Sequence, residues 1–342
     1  MERHRRRLIT GMLDSGLTPE FAERVFQQIE GFGSYGFPES HAAAFAHLAY
    51  VSAYLKCHHP LEFTVALLNS QPMGFYSPAV ILNDAKRHGI HLLRPDVQRS
   101  GWDSSIEDGR LRMGLRLVRG LGEEAGRAIE QARLGRGPFR SVEDLAHRAG
   151  VPSRALVPLA AAGALSAFGD RRQAVWRASA AAHPHGPLHA GADEPAAPPP
   201  LPPVGALEAL SLDAKYASSF PDRHPMELVR DEMRRLRVLS AAEAAAAAPG
   251  VVVEVAGLVI TRQRPESASG ALFMTLEDET GHVDVALSEK TFLRYQNVVR
   301  LSHALRVRGR ITADGRARNV NALHITPLRF ERALRVEAHD FR

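Results

Sequence analysis

The sequence predicts a multidomain fold in which a mainly α region is followed by a small all-β barrel. Three observations carry that expectation. The 342 residues, 45% of them hydrophobic, suffice for more than one core, because a single domain usually holds about 100–200 residues. From Thr18 to Trp176, apolar residues recur at helical spacing between glycine and proline stops. Beyond Ala247 the period falls to two, the mark of half-buried strands.

Residues 1–100 form the first block. Thr18-Pro19 is a cap followed by a residue suited to a first helical turn, and a second apolar series runs from Ala42 to Leu55. Gly31, Gly33, Gly36 and Pro38 separate the two. A third helix is predicted over 77–88, stopped by Gly89, with 90–93 and 95–97 extended. In residues 101–178, short helical segments from about Gly109 to Trp176 alternate with Gly114, Gly120, Gly122, Gly150 and Gly163, a spacing suited to helical hairpins.

Residues 179–207, rich in Ala and Pro with the run Pro198-Pro199-Pro200, read as a linker that buries too little apolar surface to order itself. A helical connector occupies 208–248. The barrel lies in 249–328, with strands at 251–253, 272–276, 283–287, 305–311 and 322–325, and 329–342 is a tail.

The formal net charge of +5 leans toward an anionic partner. Nearly all of the positive charge is arginine, with lysine only at Lys56, Lys86, Lys215 and Lys290, so bidentate phosphate contacts are available where arginines cluster. Thirteen arginines face six acids between Arg110 and Arg177. The single Cys57 excludes an internal disulfide and a thiolate metal cage. With no secretory h-region in the first residues and no run of about 18 apolar residues, a cytoplasmic protein without a membrane partner is expected.

Leu117-Val118-Arg119-Gly120-Leu121-Gly122, followed by Ala125 and Ile129, is a helix-hairpin-helix signature. Glycine at 120 and 122 lets backbone N–H groups approach a phosphate while the next helix presents its positive end. Arg116, Arg119 and Arg127 add charge. Contact of this kind holds a duplex without reading bases and depends on salt. An ordinary turn between two helices is the competing reading. A second, weaker half over 141–165 keeps only Gly163 at a hairpin-like place and reads as mainly structural, completing a tandem unit.

In Arg306-Val307-Arg308-Gly309-Arg310-Ile311, alternation sends Arg306, Arg308 and Arg310 to one face and Val307 and Ile311 to the other. Together with Arg262 and Arg264, expected in the loop after the first strand, this matches the cationic groove of an OB-fold that tracks single-stranded nucleic acid. Phe273 stacks on a base or, in the other register, points into the core. The acids of Glu277-Asp278-Glu279-Thr280-Gly281 are expected to be solvated at a hairpin turn, without a metal. The pairs His58-His59 and His183-Pro184-His185 lack further ligands at zinc spacing. His41, at the start of a helix after Phe37-Pro38-Glu39-Ser40, is either a phosphate donor or a cap.

Tyr35-Gly36-Phe37, Ser40-His41-Ala42-Ala43, Tyr54-Leu55-Lys56 and His59-Pro60-Leu61-Glu62-Phe63 resemble the fingers region of bacterial polymerase III alpha subunits. Phe37-Pro38-Glu39-Ser40-His41 and the segment from Leu68 to Tyr76 look like the mutagenic, error-prone DnaE-type paralogue, where the replicase usually has Asn-Lys in place of Pro38-Glu39. The likeness continues through the hairpin unit and the segment from Phe273 to Gly281, and makes 1–100 the C-terminal part of the fingers.

This resemblance implies damage-induced translesion synthesis in DNA repair and replication. It places His41 near the incoming nucleotide's phosphates. It also implies an upstream palm domain whose aspartates hold Mg²⁺, with no counterpart in this chain, which is therefore expected to carry no cofactor and to be inactive alone. The implied partners are duplex and single-stranded DNA, the missing polymerase half and accessory translesion proteins. The alternative is a free-standing DNA-binding accessory protein.

Overall fold

The computed structural model describes residues 2–34, 39–74, 76–181, 199–265, 268, 270–314, 317–328 and 339–341. The chain divides into two compact units, Met1–Pro60 and Leu61–Arg342. Among the described residues no helix is long and apolar enough to cross a membrane.

The first unit holds α1 (Glu2–Asp14), α2 (Pro19–Ser34) and α3 (Glu39–His58). Thr18 Oγ1 accepts from the Phe21 amide at 3.3 Å and starts α2. Where α1 meets α2, Ala22 and Phe26 are buried, Arg5 donates to Glu23 at 2.6 Å, and the Arg5 guanidinium lies 5.7 Å from the Phe26 ring centre. Gly31 and Gly33, expected to break the helix, lie inside α2; residues 35–38 fall outside the described residues. The apolar residues of α3 do not collect on one face: Phe45, Leu48, Tyr50, Tyr54 and Leu55 are all exposed. Such a helix has the composition of one made to be covered on several sides.

The second unit begins within α4 (Pro60–Asn69) and continues into α5 (Pro78–Arg87), capped by Ser77. A three-stranded sheet follows in the order β1 (Leu92–Leu93), β3 (Arg110–Arg112), β2 (Ser105–Glu107). Residues 110–112, expected to be helical, are therefore a strand. The reason is local: Asp108 and Gly109 both take positive φ, +50° and +70°, and an Asp-Gly pair in that conformation closes a two-residue β-hairpin. Leu68, Ile81, Leu82, Leu111 and Met113 fill the small core beneath.

Helices α6 (Glu123–Arg136), α7 (Val142–Ala149), α8 (Ser153–Ala161) and α9 (Arg171–Ala180) close around a second core of Val118, Ile129, Leu145, Leu156, Leu159 and Leu165. Most of the predicted linker lies outside the described residues. The connector is more extensive than expected, with α10 (Ala206–Leu212), a π-turn at Asp213–Ala217, α11 (Pro225–Arg235) and α12 (Ala241–Ala246).

The five predicted strands are present as β4 (Val252–Gln263), β5 (Leu272–Asp278), β6 (Gly281–Leu287), β7 (Ala304–Asp314) and β8 (Ala317–Pro327), ordered β5-β6-β8-β7-β4 and closed by a β4–β5 pairing. A short β9 (His339–Phe341) runs parallel to β4 at Thr261–Gln263. Between β6 and β7, α13 (Glu289–Leu301) plugs the barrel with Phe292 and Val299. Strand β4 reads as a continuous apolar run because its outer residues are covered too: Leu258 packs with Leu210 and Phe220, and Ala256 with Met226 and Met233.

The acidic turn is not solvated. Glu277 and Asp278 are each 2% exposed, and they tie the barrel to the helices. Asn83 and Arg87 of α5 donate to Glu277 at 3.0 and 2.9 Å, and Arg230 of α11 donates to Asp278 at 2.7 Å and to Glu279 at 2.5 Å. Burial pushes the Glu277 carboxyl up, but the hydrogen bond from His282, the electrostatic influence of His224 and the hydrogen bond from Arg87 outweigh it and hold the group below the usual carboxylate range. The turn signal was correct and the solvation wrong, because burial of a turn is decided by what packs on it.

Candidate nucleic-acid interface

A 3₁₀ turn at Leu115–Leu117 leads into the first hairpin, where Gly120 has φ +91° and a Cβ would lie 3.2 Å from Pro158. An L-residue at that φ is strained. Gly122 is the N-cap of α6 at an ordinary φ of −73°, with nothing within 4 Å of a built Cβ, and no side chain caps the helix among the described residues. Gly122, Glu123 and Glu124 are all exposed, so the start of α6 is open to solvent, the arrangement that can accept an anion at a helix N-terminus. Glu123 and Glu124 occupy the same turn and oppose that use. Glu123 is partly neutralised by Arg127 at 2.7 Å.

The second hairpin has the same backbone bend, with Gly163 at φ +82°. Its polar groups are engaged internally. The Val97 amide donates to the Ala164 carbonyl at 3.0 Å, and Arg94 to the Ala162 carbonyl at 3.3 Å. The helix that follows, α9, is capped by Asp170, which accepts from the Gln173 amide at 2.9 Å. Beside it, Arg94 donates to buried Asp213 through two bonds of 2.9 Å and Arg171 hydrogen-bonds the same carboxylate.

The arginines predicted for the first hairpin separate. Arg119 is exposed beside Gly120, its amide donating to the Tyr216 carbonyl at 2.8 Å. Arg127 is exposed on α6 and paired with Glu123. Arg116 does not fit the expected role: its guanidinium donates to the carbonyls of Asn69 and Gln71, both at 2.6 Å, and to Asp103 at 2.7 Å. It serves the C-terminal end of α4, where carbonyls lack helical partners and a cation is favoured.

On the barrel, Val307, Gly309 and Ile311 face inward, while Arg306, Arg308 and Arg310 face outward on β7. By register they lie beside Ala256, Glu254 and Val252 of β4 and Thr326, His324 and Asn321 of β8, respectively. Arg306 sits 3.8 Å from Glu254 and Arg310 donates to the Gly250 carbonyl at 2.7 Å. Phe273 points outward and is 43% exposed, on β5 next to Gln263 and Ala286. Strands β5 and β7 are not neighbours, since β4 separates them on one side and β6 and β8 on the other. The phenylalanine and the arginine row therefore belong to different walls and not to one groove.

Arg262 is a second correction. It lies within β4, is 7% exposed, and donates to the Val299 and Ser302 carbonyls at 2.8 and 2.6 Å, where it closes the end of α13. Arg264, just past the strand, keeps partial exposure with its guanidinium 4.9 Å from the Phe292 ring centre. In the first unit, His41 is exposed in the first turn of α3, its ring 4.4 Å from that of Phe45.

A cleft of about 420 Å³ between α5, the first hairpin, the connector and the barrel was not predicted. Its lining includes Tyr76, Arg119, Ser219, Thr261, Glu277 and Asp284. No periodicity or motif joins these positions; only the packing of α5 and the connector on β4–β6 brings them together.

Residues 89–175 match the helix-hairpin-helix motif family and residues 253–328 match an OB-fold nucleic acid binding domain family. Across the chain, similarity extends to bacterial proteins named error-prone DNA polymerase. The protein of Anaeromyxobacter sp. (strain K) is 44% identical over 98% of this chain and 31% of its own length. That of Burkholderia pseudomallei (strain K96243) is 44% identical over 99% of the chain and 33% of its length. That of Pseudomonas fluorescens (strain Pf0-1) is 44% identical over 100% and 34%. The chain thus spans about a third of the length of the curated relatives it matches.

Proposed function

From a chain that is related over nearly its whole length to the C-terminal part of bacterial error-prone DNA polymerases, we propose that it is the DNA-holding portion of such an enzyme, working in translesion synthesis during DNA repair. The observation that carries this reading is the pairing of an open, uncapped hairpin at Gly120 and Gly122 with a nucleic-acid-binding barrel. The hairpin, with Arg119 and Arg127, holds the phosphates of the primer–template duplex. The barrel takes the single strand, with Phe273 offering a stacking surface on the β5 wall and Arg306, Arg308 and Arg310 supplying charge on the separate β7 wall, and Arg264 adding charge at the end of β4.

In this reading, nucleotidyl transfer belongs to the part of the complete polymerase outside this chain, whose carboxylates would hold Mg²⁺ ions and so supply the Lewis-acid chemistry of the reaction. The first unit contributes His41 beside the incoming nucleotide. The exposed apolar sides of α3 fit a helix covered by the rest of the polymerase, and the accessory proteins of translesion synthesis are the expected partners in the cytoplasm. The test is primer extension with Mg²⁺ and four deoxynucleotides, using this chain alone and joined to the upstream portion of a relative. The proposal expects extension only from the joined protein and DNA binding from both. Extension by the chain alone, or no DNA binding by either, contradicts it.

A further inference from the structure

The cleft lined by Tyr76 and Arg119 has a charge pattern that a phosphate groove does not. Its size, about 420 Å³, falls in the range of small-ligand sites, roughly 300–1,000 Å³. Two carboxylates, Glu277 and Asp284, line it against one arginine, Arg119. Glu277 is buried and already paired with Asn83, Arg87 and His282, while Asp284 is exposed and accepts from the Thr275 hydroxyl at 2.7 Å. An anionic phosphate is disfavoured beside the Asp284 carboxylate. A nucleobase is not: its exocyclic amino group donates to a carboxylate, and its faces pack on apolar walls, here Val80, Phe220 and Leu258.

Tyr76, 61% exposed at the cleft, adds an aromatic ring for stacking. Arg119 comes from the hairpin itself and is exposed beside Gly120. A second, smaller hollow shares Thr261, Thr275 and Asp284 with the cleft and carries Phe273 on its lining. The two make a continuous path from the hairpin to the outer face of β5.

We propose that this cleft captures one unstacked base of a single DNA strand, with the flanking phosphate at Arg119, and that it prefers a base bearing an exocyclic amine over thymine. This rests on the DNA-holding reading above and deepens it by naming the ligand of one site. Asp284, exposed on the cleft wall, is the group that distinguishes the bases, and Tyr76 is the platform.

The experiment measures binding of the full chain to labelled twelve-nucleotide strands by fluorescence anisotropy at low salt. One strand is all thymidine and the other carries a single central deoxycytidine, so that base size is held constant and the strand can slide until the cytosine finds the cleft. The expected result is about tenfold tighter binding of the cytosine strand, the scale of a stacked and hydrogen-bonded base. The preference should vanish in Ala79→Trp, which fills the cleft, and in Asp284→Ala, which alters only an exposed side chain and so survives any folding defect of the first variant; Tyr76→Ala should weaken binding of both strands. Equal affinity for the two strands overturns the cleft assignment while leaving the DNA-holding reading intact, as does a preference unchanged in Asp284→Ala. Absence of binding to either strand overturns both.

Discussion

Two glycines in the same helical domain make nearly the same bend and meet opposite fates. Gly120 and Gly163 take φ +91° and +82°, so the chain reverses alike at both. After Gly120 the next helix starts at an uncapped glycine facing open space. After Gly163 the next α-helix starts at Asp170, whose carboxylate caps it, and Arg94 and the Val97 amide occupy the hairpin's carbonyls. The bend is thus a necessary feature of a DNA hairpin and not a sufficient one; what decides is whether the fold has spent the polar groups around it.

The largest expected effect tests the spent side. Asp213, buried beneath the second hairpin, holds both Arg94 and Arg171. Asp213→Ala leaves partly buried Arg171 without its carboxylate and Arg94 with Asp222 alone, and should cost about 3 kcal/mol, lowering the calorimetric Tm by roughly ten degrees. Duplex affinity measured well below that Tm should be unchanged. A collapse of affinity in the folded variant would mean that the second hairpin also holds DNA.

The open side is sharpened by a pair of arginines that look equivalent in sequence. Arg119→Ala should weaken duplex binding several-fold and reduce the slope of log affinity against log salt by about one. Arg116→Ala should lower stability, because it strips the carbonyls of Asn69 and Gln71 of their donor, and leave the slope alone. Interchanged results would reverse the two roles.

That contrast shows where sequence reasoning succeeds. Strand period and helical spacing are short-range properties, so the mainly α then all-β order, the five barrel strands, the α5 helix and the Gly120 turn were legible. The alternation at 306–311 also determined which side of β7 the arginines occupy. Whether a cation is spent on the protein's own carbonyls depends on partners tens of residues away: Arg116 with Asn69, Arg262 with Val299, and Glu277 with Arg87. Nothing at the arginine itself announces them. The strand at 110–112 is a different failure, since Asp108-Gly109 between apolar residues is a short-range hairpin signal that the surrounding glycine pattern obscured.

A smaller effect separates the two walls of the barrel. The triple change Arg306→Ala, Arg308→Ala and Arg310→Ala should flatten the salt dependence of single-strand binding by at most about 0.7 per arginine. Phe273→Ala should weaken binding at every salt concentration without altering the slope. If the arginine variant has the native slope, the β7 wall is a solvated surface and the strand lies on β5 alone.

The smallest effect is a pH dependence. His224 is buried between α11 and the acidic turn, with Nδ1 accepting from the Met226 amide at 3.2 Å. Burial lowers its pKa, although Glu277, Glu279 and Asp278 oppose the shift. The unfolded chain then takes up a proton near pH 6.5 that the folded chain refuses until lower pH, so stability falls as pH drops below about 6.5, by at most about 1.4 kcal/mol per unit. Glu277, held low in the fold, adds a loss only at more acidic pH, below about 4.3. His224→Phe should flatten the change in Tm between pH 7 and 5.5; an unaltered slope would assign it to other groups.

The most direct measurement is duplex affinity for the native chain, Gly120→Val and Gly163→Val, each titrated at several salt concentrations. The account predicts salt-dependent binding by the native chain, its loss in Gly120→Val even where circular dichroism shows the fold retained, and native affinity with reduced stability in Gly163→Val. Native affinity in a folded Gly120→Val protein would contradict the claim that this chain holds DNA through its first hairpin.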